Sequence, residues 1–277
     1  MTAGGYTGAM RDRVIVVTGA SSGIGAAAAE KLAAEGATVV LVARRAEALA
    51  DIAARCGSNA HVVVADVTVR DAVRQVVAGS IARAGRIDVW INNAGRGINR
   101  LPSELTDEDL DDMMRVNVKS VLYGMQEVLP HFKARGDGHI INVSSMLARL
   151  PLAPARSAYT GAKFFVNALT AMMRDEVQAT HPGIQLSLVS PGIVWTEFGK
   201  NAVHGGPDSR AYQNGQEVSE VAAVIADVVR SRKPDVYTRA GSAEAVAAYY
   251  AKLGEDPNDR VGKTGARKTS RRRGFAA

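Results

Sequence analysis

Short apolar runs alternate with longer amphipathic stretches along most of the chain. The runs are rich in β-branched and aliphatic residues, which is typical of buried strands. They cover residues 13–17, 37–42, 60–65, 87–91, 139–143, 184–189 and 235–238. The stretches between them predict helices over residues 26–34, 46–55, 70–84, 106–134, 157–180, 217–230 and 243–253. Repeated strand–helix units of this kind predict an α/β fold, in which helices cover both faces of a parallel sheet.

The predicted topology also indicates where a ligand binds. Right-handed strand–helix–strand connections place ligands at the carboxyl ends of parallel strands. We expect a single domain over residues 11–253, preceded by a flexible segment at 1–10 and followed by a tail at 254–277. Within the domain, residues 195–215 are rich in glycine and polar residues. This composition is typical of a mobile lid that closes over a bound ligand.

The first predicted strand ends in a glycine-rich turn, Thr18-Gly-Ala-Ser-Ser-Gly-Ile-Gly25, which leads into an alanine-rich helix. Amides at a helix N-terminus bind phosphate, and glycines let the backbone approach it closely. The spacing Gly-x-x-x-Gly-x-Gly differs from the commoner dinucleotide fingerprint. The alternative is a turn that only links strand to helix. We predict phosphate contacts from Gly19, Ser21, Ser22, Gly23, Ile24 and Gly25.

The second predicted strand ends at Ala43 and is followed by Arg44 and Arg45. In a dinucleotide fold, an acidic residue at this strand end binds the adenosine ribose hydroxyls, and none is present here. Guanidinium groups bind a phosphate through paired, charge-assisted hydrogen bonds. We therefore predict that Arg44, supported by Arg45, binds a 2′-phosphate, which favours NADP over NAD as the cofactor. The alternative is a pair of solvated charges at the start of the helix over residues 46–55.

Tyr159 and Lys163 lie four residues apart in a predicted helix, so their side chains share one face. A phenol ionises near pH 10 and is a poor proton-transfer group at neutral pH unless a cation stabilises the phenolate. Lowering its pKa by about 3 units requires roughly 4 kcal/mol of differential stabilisation. We therefore expect Lys163 to lower the pKa of Tyr159 in a site partly closed to water. The spacing alone is weak evidence, because such pairs occur on many solvated helix faces.

Together with five further segments, these motifs resemble the short-chain dehydrogenase/reductase family over residues 11–253. The further segments are Asp66-Val67, Asn92-Asn-Ala-Gly95, Asn117, Ser144-Ser145 and Pro191-Gly192. The resemblance implies a Rossmann-like, doubly wound sheet of seven parallel strands, a nicotinamide cofactor, and reversible oxidation of an alcohol to a carbonyl. It implies a catalytic tetrad of Asn117, Ser145, Tyr159 and Lys163. It also implies several contacts with the cofactor. Asp66 and Val67 would contact the adenine, and Asn93, Ala94 and Gly95 would lie along the middle of the cofactor. Tyr159 and Lys163 would also contact the cofactor, and Pro191, Gly192, Val194 and Thr196 would lie near the nicotinamide amide.

The resemblance also implies a role for each member of the tetrad. Tyr159 is the general acid or base, and Ser145 donates a hydrogen bond to the reacting oxygen. Lys163 also binds the nicotinamide ribose hydroxyls, and Asn117 anchors a water that links Lys163 to bulk solvent. The separation of fourteen residues between Ser145 and Tyr159 is one more than is commonest in the family. Adjacent strand residues point in opposite directions, so only one of Ser144 and Ser145 can face the site, and we prefer the second.

We therefore predict an NADP-dependent oxidoreductase that interconverts a carbonyl and a secondary alcohol on a small or apolar substrate. The alternative is a cofactor-binding regulatory or sensor protein on the same fold, which uses its basic tail to reach a partner. Enoyl reduction is disfavoured, because it usually accompanies a longer Tyr–Lys spacing. Candidate pocket walls are residues 96–101, 146–156 and 195–213, although their apolar side chains could equally pack against the fold. We interpret His204 as a solvated loop residue, and we predict no metal, because the five histidines lack metal-ligand spacing.

Composition and charge add a cellular context. One cysteine and the lack of a long apolar run favour a soluble, cytoplasmic protein without membrane association. Residues 263–277 carry six basic side chains and no acid; without those six, the 34 lysines and arginines become 28, equal to the acids. We expect this tail to be disordered and not to bind nucleic acid, since no nucleic-acid motif accompanies it. By the family resemblance we expect a homodimer or homotetramer, built on the helices over 106–134 and 157–180.

Overall fold

A computed structural model of the chain describes residues 10–252 of the 277. The predictions made for the segment before Met10 and for the basic tail lie outside the described residues. Met10 itself is buried and belongs to the hydrophobic core, although the sequence pattern assigned it to the flexible N-terminal segment.

Seven strands form one parallel sheet, as the sequence predicts, in the order β3-β2-β1-β4-β5-β6-β7. Every neighbouring pair is parallel. The strand order reverses between β1 and β4, and such a switch point opens a crevice at the carboxyl ends of the strands. The strands are β1 (Val14–Thr18), β2 (Thr38–Ala43), β3 (Ala60–Val64), β4 (Val89–Asn92), β5 (Gly138–Val143), β6 (Ile184–Ser190) and β7 (Asp235–Tyr237).

Helices cover both faces of the sheet because successive strand residues point to opposite sides. In β1, Ile15 and Val17 pack into one hydrophobic cluster, and Val14 and Val16 pack into the other. The first cluster contains residues of α1, α2 and α7, and the second contains residues of α3, α5 and α6. The helices are α1 (Gly23–Ala34), α2 (Ala46–Cys56), α3 (Arg70–Ala84), α4 (Asp107–Met114), α5 (Ser120–Arg135), α6 (Ser157–Gln178), α7 (Val218–Ser231) and α8 (Ser242–Ala251).

The long helix predicted over residues 106–134 is interrupted by a π-helical segment, Arg115–Lys119, between α4 and α5. Its beginning agrees with the sequence, because Thr106 and Asp109 form a capping box at the N-terminus of α4. A π segment inserts an extra residue into the helical turn, and hydrophobic periodicity does not reveal it. Asn117 lies inside this segment.

The chain divides into two compact units at Arg239. The first contains the whole sheet and helices α1 to α7. The described part of the second unit is α8, which follows Gly241 in the left-handed conformation, with φ of 77°. Near the end of α8, the rings of Tyr249 and Tyr250 contact each other edge to face.

Candidate active site

The loops that follow neighbouring strands meet at the carboxyl edge of the sheet. Oγ1 of Thr18, at the end of β1, accepts hydrogen bonds from the backbone N–H groups of Asn93 (3.0 Å) and Ala94 (3.2 Å), which follow β4. The N–H of Met146, after β5, donates to the carbonyl of Pro191, after β6, at 2.8 Å. These bonds hold four strand ends in one crevice, which is where the topology predicts a ligand.

The glycine-rich turn between β1 and α1 depends on glycine at three positions. Gly19 and Gly23 have φ of 67° and 55°, a conformation that side-chain-bearing residues rarely adopt. A methyl group on Gly25 would lie 2.4 Å from both Asn93 Nδ2 and Gly19 O, so α1 packs directly on the loop after β4. Ser22, the N-cap residue, makes no side-chain capping hydrogen bond. The first-turn amides of α1 are therefore free to bind another acceptor, as a phosphate turn requires.

Arg45 reaches back from the end of β2 onto this turn. Its Nη2 donates to Oγ of Ser21 at 3.0 Å and to Oγ of Ser22 at 2.9 Å. Arg44 points elsewhere, with Nη1 4.0 Å from Asp66 Oδ2 and a side chain that is 71% exposed. Sequence reasoning assigned Arg44 the leading role toward a 2′-phosphate, whereas the structure brings Arg45 to the turn.

Asp66 and Val67 follow β3 on the same edge of the sheet. The Oδ1 of Asp66 accepts a hydrogen bond from the N–H of Thr68 at 2.9 Å, which closes a local turn. Burial raises the pKa of Asp66, but hydrogen bonds from Thr68 and the charges of Arg44 and Arg115 outweigh it, and the net pKa is lowered. Asp66 is therefore ionised at neutral pH. Val67 is partly buried against the cluster on the α3 side of the sheet.

The segment after β4 connects the glycine-rich turn to the other predicted site residues. Asn93 Nδ2 donates to the carbonyl of Thr18 at 3.0 Å. A methyl group on Gly95 would lie 2.9 Å from Asn117 Oδ1 and 3.7 Å from Lys163 Nζ. The structure thus brings Asn93, Gly95, Asn117 and Lys163 into one continuous wall.

Asn117 is fully buried in the π segment and joins it to the loop after β4. Its Nδ2 donates to the carbonyls of Arg96 (3.0 Å) and Met113 (3.2 Å), and its Oδ1 accepts from the N–H of Arg96 (3.0 Å). Both amide hydrogens are therefore used within the protein. π segments frequently occur at functional sites, and this one contains a residue that the sequence singled out.

Ser144 and Ser145 point to different partners. Ser144 Oγ donates to Asn167 Oδ1 at 2.5 Å and is buried beneath α6. The hydroxyl of Ser145 is hydrogen bonded to the phenol of Tyr159 and accepts a hydrogen bond from the N–H of Leu147 at 3.1 Å. Of the two serines, Ser145 is therefore the one in contact with Tyr159. The longer separation between Ser145 and Tyr159 is accommodated by two short 3₁₀ turns, Met146–Ala148 and Pro154–Arg156.

Tyr159 and Lys163 lie on one buried face of α6, as their spacing predicts. Lys163 Nζ is 5.8 Å from the centroid of the Tyr159 ring and donates to the carbonyl of Val143, at the end of β5, at 2.9 Å. The ring of Tyr159 contacts Phe198 edge to face, with centroids 5.5 Å apart. Tyr159 therefore lies between the sheet edge and the segment that follows β6.

Burial dominates the protonation of both side chains. It raises the pKa of Tyr159 to about 12, because desolvation outweighs the hydrogen bond with Ser145 and the charge of Arg156, which lower it. Burial lowers the pKa of Lys163 to about 8. The expectation that Lys163 makes this phenol acidic is therefore wrong for the protein alone. In the protein alone, Tyr159 is a protonated phenol at neutral pH.

The loop after β6 closes over the glycine-rich turn. Gly192 follows Pro191, and Val194 forms a bridge with Gln216. A methyl group on Gly23 would lie 3.3 Å from Thr196 Cγ2, so Thr196 lies against the phosphate turn. Of the residues predicted near a nicotinamide amide, Thr196 is thus brought to the first turn of α1.

The segment predicted as a lid is attached to the loop after β4. The N–H of Val203 donates to the carbonyl of Gly97, and the N–H of Asn99 donates to the carbonyl of Val203, both at 2.9 Å. His204 Nε2 lies 2.7 Å from the oxygen Oδ1 of Asp109, whose side chain is buried. His204 is an exposed loop residue, as the sequence predicts, and this contact also anchors the segment to α4. The mobility of the lid stays a prediction.

Sequence reasoning included Arg156 only as the last residue of a candidate pocket wall, 146–156, and gave it no individual role, although it lies beside Tyr159. Arg156 is the last residue before α6, and its Nη1 donates to the carbonyl of Ile98 at 2.9 Å. Its charge is close enough to lower the pKa of Tyr159. Arg156 precedes the first residue of α6, so helical spacing does not specify this contact.

No metal cluster or membrane-spanning helix is found in the described part of the chain. Within residues 10–252, no group of three or more His, Cys, Asp or Glu side chains is arranged to hold a metal ion. None of the helices over this range is long and apolar enough to span a membrane.

Comparison with known proteins agrees with this geometry. A family model for short chain dehydrogenases matches residues 13–205. An uncharacterized oxidoreductase of Staphylococcus epidermidis is 36% identical over 187 residues, which cover 68% of this chain and 80% of that protein. An uncharacterized oxidoreductase of Staphylococcus saprophyticus is 34% identical over 217 residues, covering 77% of this chain and 90% of that protein.

Solved structures share the fold. A short-chain dehydrogenase/reductase from Burkholderia phymatum in complex with NAD superposes with a TM-score of 0.82 over 90% of this chain and 98% of its own, at 23% identity, which supports the fold alone. A metagenomic short-chain oxidoreductase in complex with NADP is 31% identical, with a TM-score of 0.70 over 83% of this chain and 98% of its own. Proteins with this fold thus bind either cofactor.

Proposed function

The chain belongs to the short-chain dehydrogenase family, and on that premise we propose that it is an NADP-dependent enzyme that interconverts a carbonyl and a secondary alcohol. As a member of the family it is an NAD(P)-dependent oxidoreductase that acts on CH–OH groups. The observation that carries the finer proposal is the buried Tyr159, hydrogen bonded to Ser145 and one turn before Lys163. The sensor alternative is not favoured, because the relatives described above are oxidoreductases.

The residues at the crevice fit a nicotinamide dinucleotide. Gly25 allows α1 to approach the loop after β4, and the first-turn amides of α1 suit a pyrophosphate. The cofactor supplies or accepts a hydride when bound. We assign its binding to the glycine turn, Asp66 and Val67, Asn93 to Gly95, Tyr159 and Lys163, and the segment from Pro191 to Thr196.

Arg45 supports NADP over NAD. Its guanidinium lies over Ser21 and Ser22, and the nearby strand end lacks an acidic residue to accept ribose hydroxyls. A guanidinium and two serine hydroxyls offer several donors to a 2′-phosphate. We therefore give Arg45 the main role there, with Arg44 in support.

The proposed chemistry uses Tyr159 as a proton donor. A phenol with a pKa of about 12 keeps its proton at neutral pH, which suits protonation of the carbonyl oxygen during reduction. Ser145 donates a hydrogen bond to the same oxygen as negative charge develops on it. For the reverse reaction, the pKa of the phenol must fall, and the ammonium of Lys163 and the charge of Arg156 both favour the phenolate.

Lys163 and Asn117 complete the proposed site. Lys163 has a pKa of about 8, so it is largely an ammonium at neutral pH and can bind ribose hydroxyls. Asn117 holds the loop after β4 against the π segment through Arg96, whose carbonyl accepts from Nδ2 and whose N–H donates to Oδ1, and it donates its second amide hydrogen to Met113 of α4. Both hydrogens of the Asn117 side-chain amide are thus donated within the protein. They are not available to the water that the family resemblance implies between Asn117 and Lys163. We assign Asn117 a positioning role.

Assembly and location are part of the same proposal. Leu110 of α4 is 50% exposed, and Phe165 and Met172 of α6 are 49% and 63% exposed. Phe165 and Met172 are two helical turns apart and share a face, which suits packing against a second copy. We propose a homodimer or homotetramer built on these helices, acting in the cytoplasm.

The direct test offers the protein NADPH and each of a panel of ketones and aldehydes. Oxidation of NADPH is measured by its absorbance. We expect turnover of at least one carbonyl compound, and loss of that turnover in Tyr159→Phe without loss of NADPH binding. Full turnover by Tyr159→Phe, or no turnover of any carbonyl by the wild-type protein, would contradict the proposal.

A further inference from the structure

Arg156 places a positive charge beside Tyr159. It immediately precedes α6, three residues before Tyr159, and its charge is close enough to that phenol to lower the pKa of Tyr159. The guanidinium is partly buried, with Nη1 bonded to the carbonyl of Ile98. It is thus next to the proposed proton donor and on a different turn from Lys163.

The segments that could form the substrate pocket surround this guanidinium. A methyl group on Gly97 would lie 2.8 Å from Arg156 Nη1 and 2.9 Å from Phe198 Cε1. A methyl group on Gly206 would lie 3.1 Å from Arg156 Nη2. Phe198 also contacts the ring of Tyr159. Arg156 therefore lies where the loop after β4, the start of α6 and the 195–215 segment meet.

Among the residues that the structure describes, Arg156 has no carboxylate partner. Neighbouring arginines do: Arg100 pairs with Asp109, and Arg210 pairs with Asp208. Arg156 donates only to Ile98, and its Nε and Nη2 make no hydrogen bond within the described chain. The side chains that raise the pKa of Arg156 are Tyr212 and Tyr159, and no carboxylate is among them.

An unpaired cation in this place is costly. Burial lowers the pKa of Arg156, which means that the charged form is under-solvated. A cation at the start of a helix is also opposed by the helix dipole. Binding of an anion to Nε and Nη2 of Arg156 reduces both costs. The two oxygens of a carboxylate match these two parallel N–H donors.

We propose that Arg156 binds a carboxylate of the substrate, so that the substrate is a keto acid or the corresponding hydroxy acid, with its reacting carbon at Tyr159. This inference rests on the proposed oxidoreductase function. Phe198 and Leu147 supply apolar surface between the two polar ends, which suits a short hydrocarbon spacer. The substrate is thus small, apolar in the middle and anionic at one end.

Matched acid and ester substrates test the role of Arg156. The probes are 4-oxopentanoate, 5-oxohexanoate and 4-acetylbenzoate, each compared with its methyl ester, with NADPH as reductant. We expect kcat/KM of the wild-type enzyme to favour at least one acid over its ester. In Arg156→Gln, kcat/KM for that acid falls by about 10- to 100-fold while the ester changes little, so the preference disappears. Arg156→Lys should keep part of the preference for the acid over its ester.

The matched control is Arg210→Gln, which removes an exposed cation already paired with Asp208 in the same segment. We expect it to leave the acid-to-ester ratio unchanged. Equal loss of acid and ester turnover in Arg156→Gln would assign Arg156 a purely structural role and overturn the inference. So would a wild-type enzyme that reduces the esters as well as the acids.

A binding measurement separates this inference from the proposed function. Isothermal titration of the NADP-loaded protein with 4-acetylbenzoate and with its methyl ester does not depend on turnover. Tighter binding of the acid, lost in Arg156→Gln, supports the carboxylate site even if no probe is reduced. Failure of reduction alone counts against the proposed function, whereas equal binding of acid and ester counts against Arg156.

Discussion

Arg45 at the end of β2 donates hydrogen bonds to the side chains of both Ser21 and Ser22 in the turn between β1 and α1. The guanidinium group and the two serine hydroxyls therefore lie together beside the first turn of α1. Arg44, its neighbour in sequence, instead lies near Asp66 and is mostly exposed. The two arginines can therefore be distinguished by mutation.

We expect Arg45→Ala to weaken NADP binding by about 10- to 100-fold, because one or two charge-assisted hydrogen bonds to a phosphate are lost. NAD binding should change by less than a few-fold, since NAD has no 2′-phosphate. Arg44→Ala is the matched control and should have the smaller effect on NADP. Fluorescence titration with NADPH and NADH measures the affinities of the wild-type protein and of both variants. Equal weakening of NAD and NADP by Arg45→Ala would rule out a selective role.

The paired serines give a second prediction. Ser145→Ala should lower kcat by about 100- to 1,000-fold, because a donor to the developing oxyanion is removed, while loss of the hydrogen bond from Leu147 costs about 0.5–1.5 kcal/mol of stability. Ser144→Ala removes the buried partner of Asn167 and should cost about 1–3 kcal/mol of stability with a smaller effect on kcat. Steady-state kinetics and urea unfolding of both variants measure the contrast. If the two variants exchange these phenotypes, Ser144 is the catalytic serine.

Two glycines in helices should respond oppositely to alanine. Gly25→Ala forces a methyl group against Asn93 Nδ2 and Gly19 O, so it should destabilise the protein or displace the phosphate turn. Gly161 lies between Tyr159 and Lys163, and a methyl group there would meet no neighbouring side chain or loop within 4 Å. Gly161→Ala should therefore stabilise the protein by about 0.4–1 kcal/mol. Thermal unfolding with and without NADP measures both effects, and stabilisation by Gly25→Ala would contradict the close packing of α1.

Stability should fall in mild acid because of His139. Burial, with the charges of Arg232 and Arg13, lowers the pKa of His139 well below 6.5, and its Nε2 lies 2.8 Å from Ser187 Oγ. The unfolded chain therefore binds more protons than the folded chain below the unfolded pKa. The stability from neutral His139 is fully present above about pH 6.5 and falls by up to about 1.4 kcal/mol per pH unit below it.

Urea unfolding of wild type and His139→Gln, between about pH 5 and pH 8, measures this dependence. A glutamine side chain does not titrate, so the variant should lose less stability on acidification, even if it is less stable at neutral pH. His61 and His131 also have lowered pKa values, so part of the slope remains in the variant. An unchanged slope would show that His139 is not buried in the neutral form.

The strands and the glycine turn were predictable because local chemistry determines them. Apolar β-branched runs form buried strands, and Gly19 and Gly23 adopt a backbone conformation that favours glycine. The π segment at Asn117 was not predictable, because one inserted residue changes hydrogen bonding without changing the apolar pattern. The direction of Arg45 depends on a loop that follows β2, and sequence spacing does not specify it.

The pKa of Tyr159 shows a second limit of sequence reasoning. The spacing of Tyr159 and Lys163 correctly put the two side chains on one face, but it suggested an acidic phenol. Burial depends on the whole fold, and here it raises the pKa of the phenol instead. Arg156, three residues earlier, is the cation whose charge lowers it, and only the packing of distant loops brings Arg156 that close.

The bridge between Ile98 and Val203 limits how the pocket can open. Two backbone hydrogen bonds and the His204–Asp109 contact fasten the 195–215 segment near its midpoint. A swing of the entire segment would have to break all three together. Motion that leaves these contacts in place is confined to the residues on either side of them, so we expect any flap over Tyr159 to be the short stretch that carries Phe198.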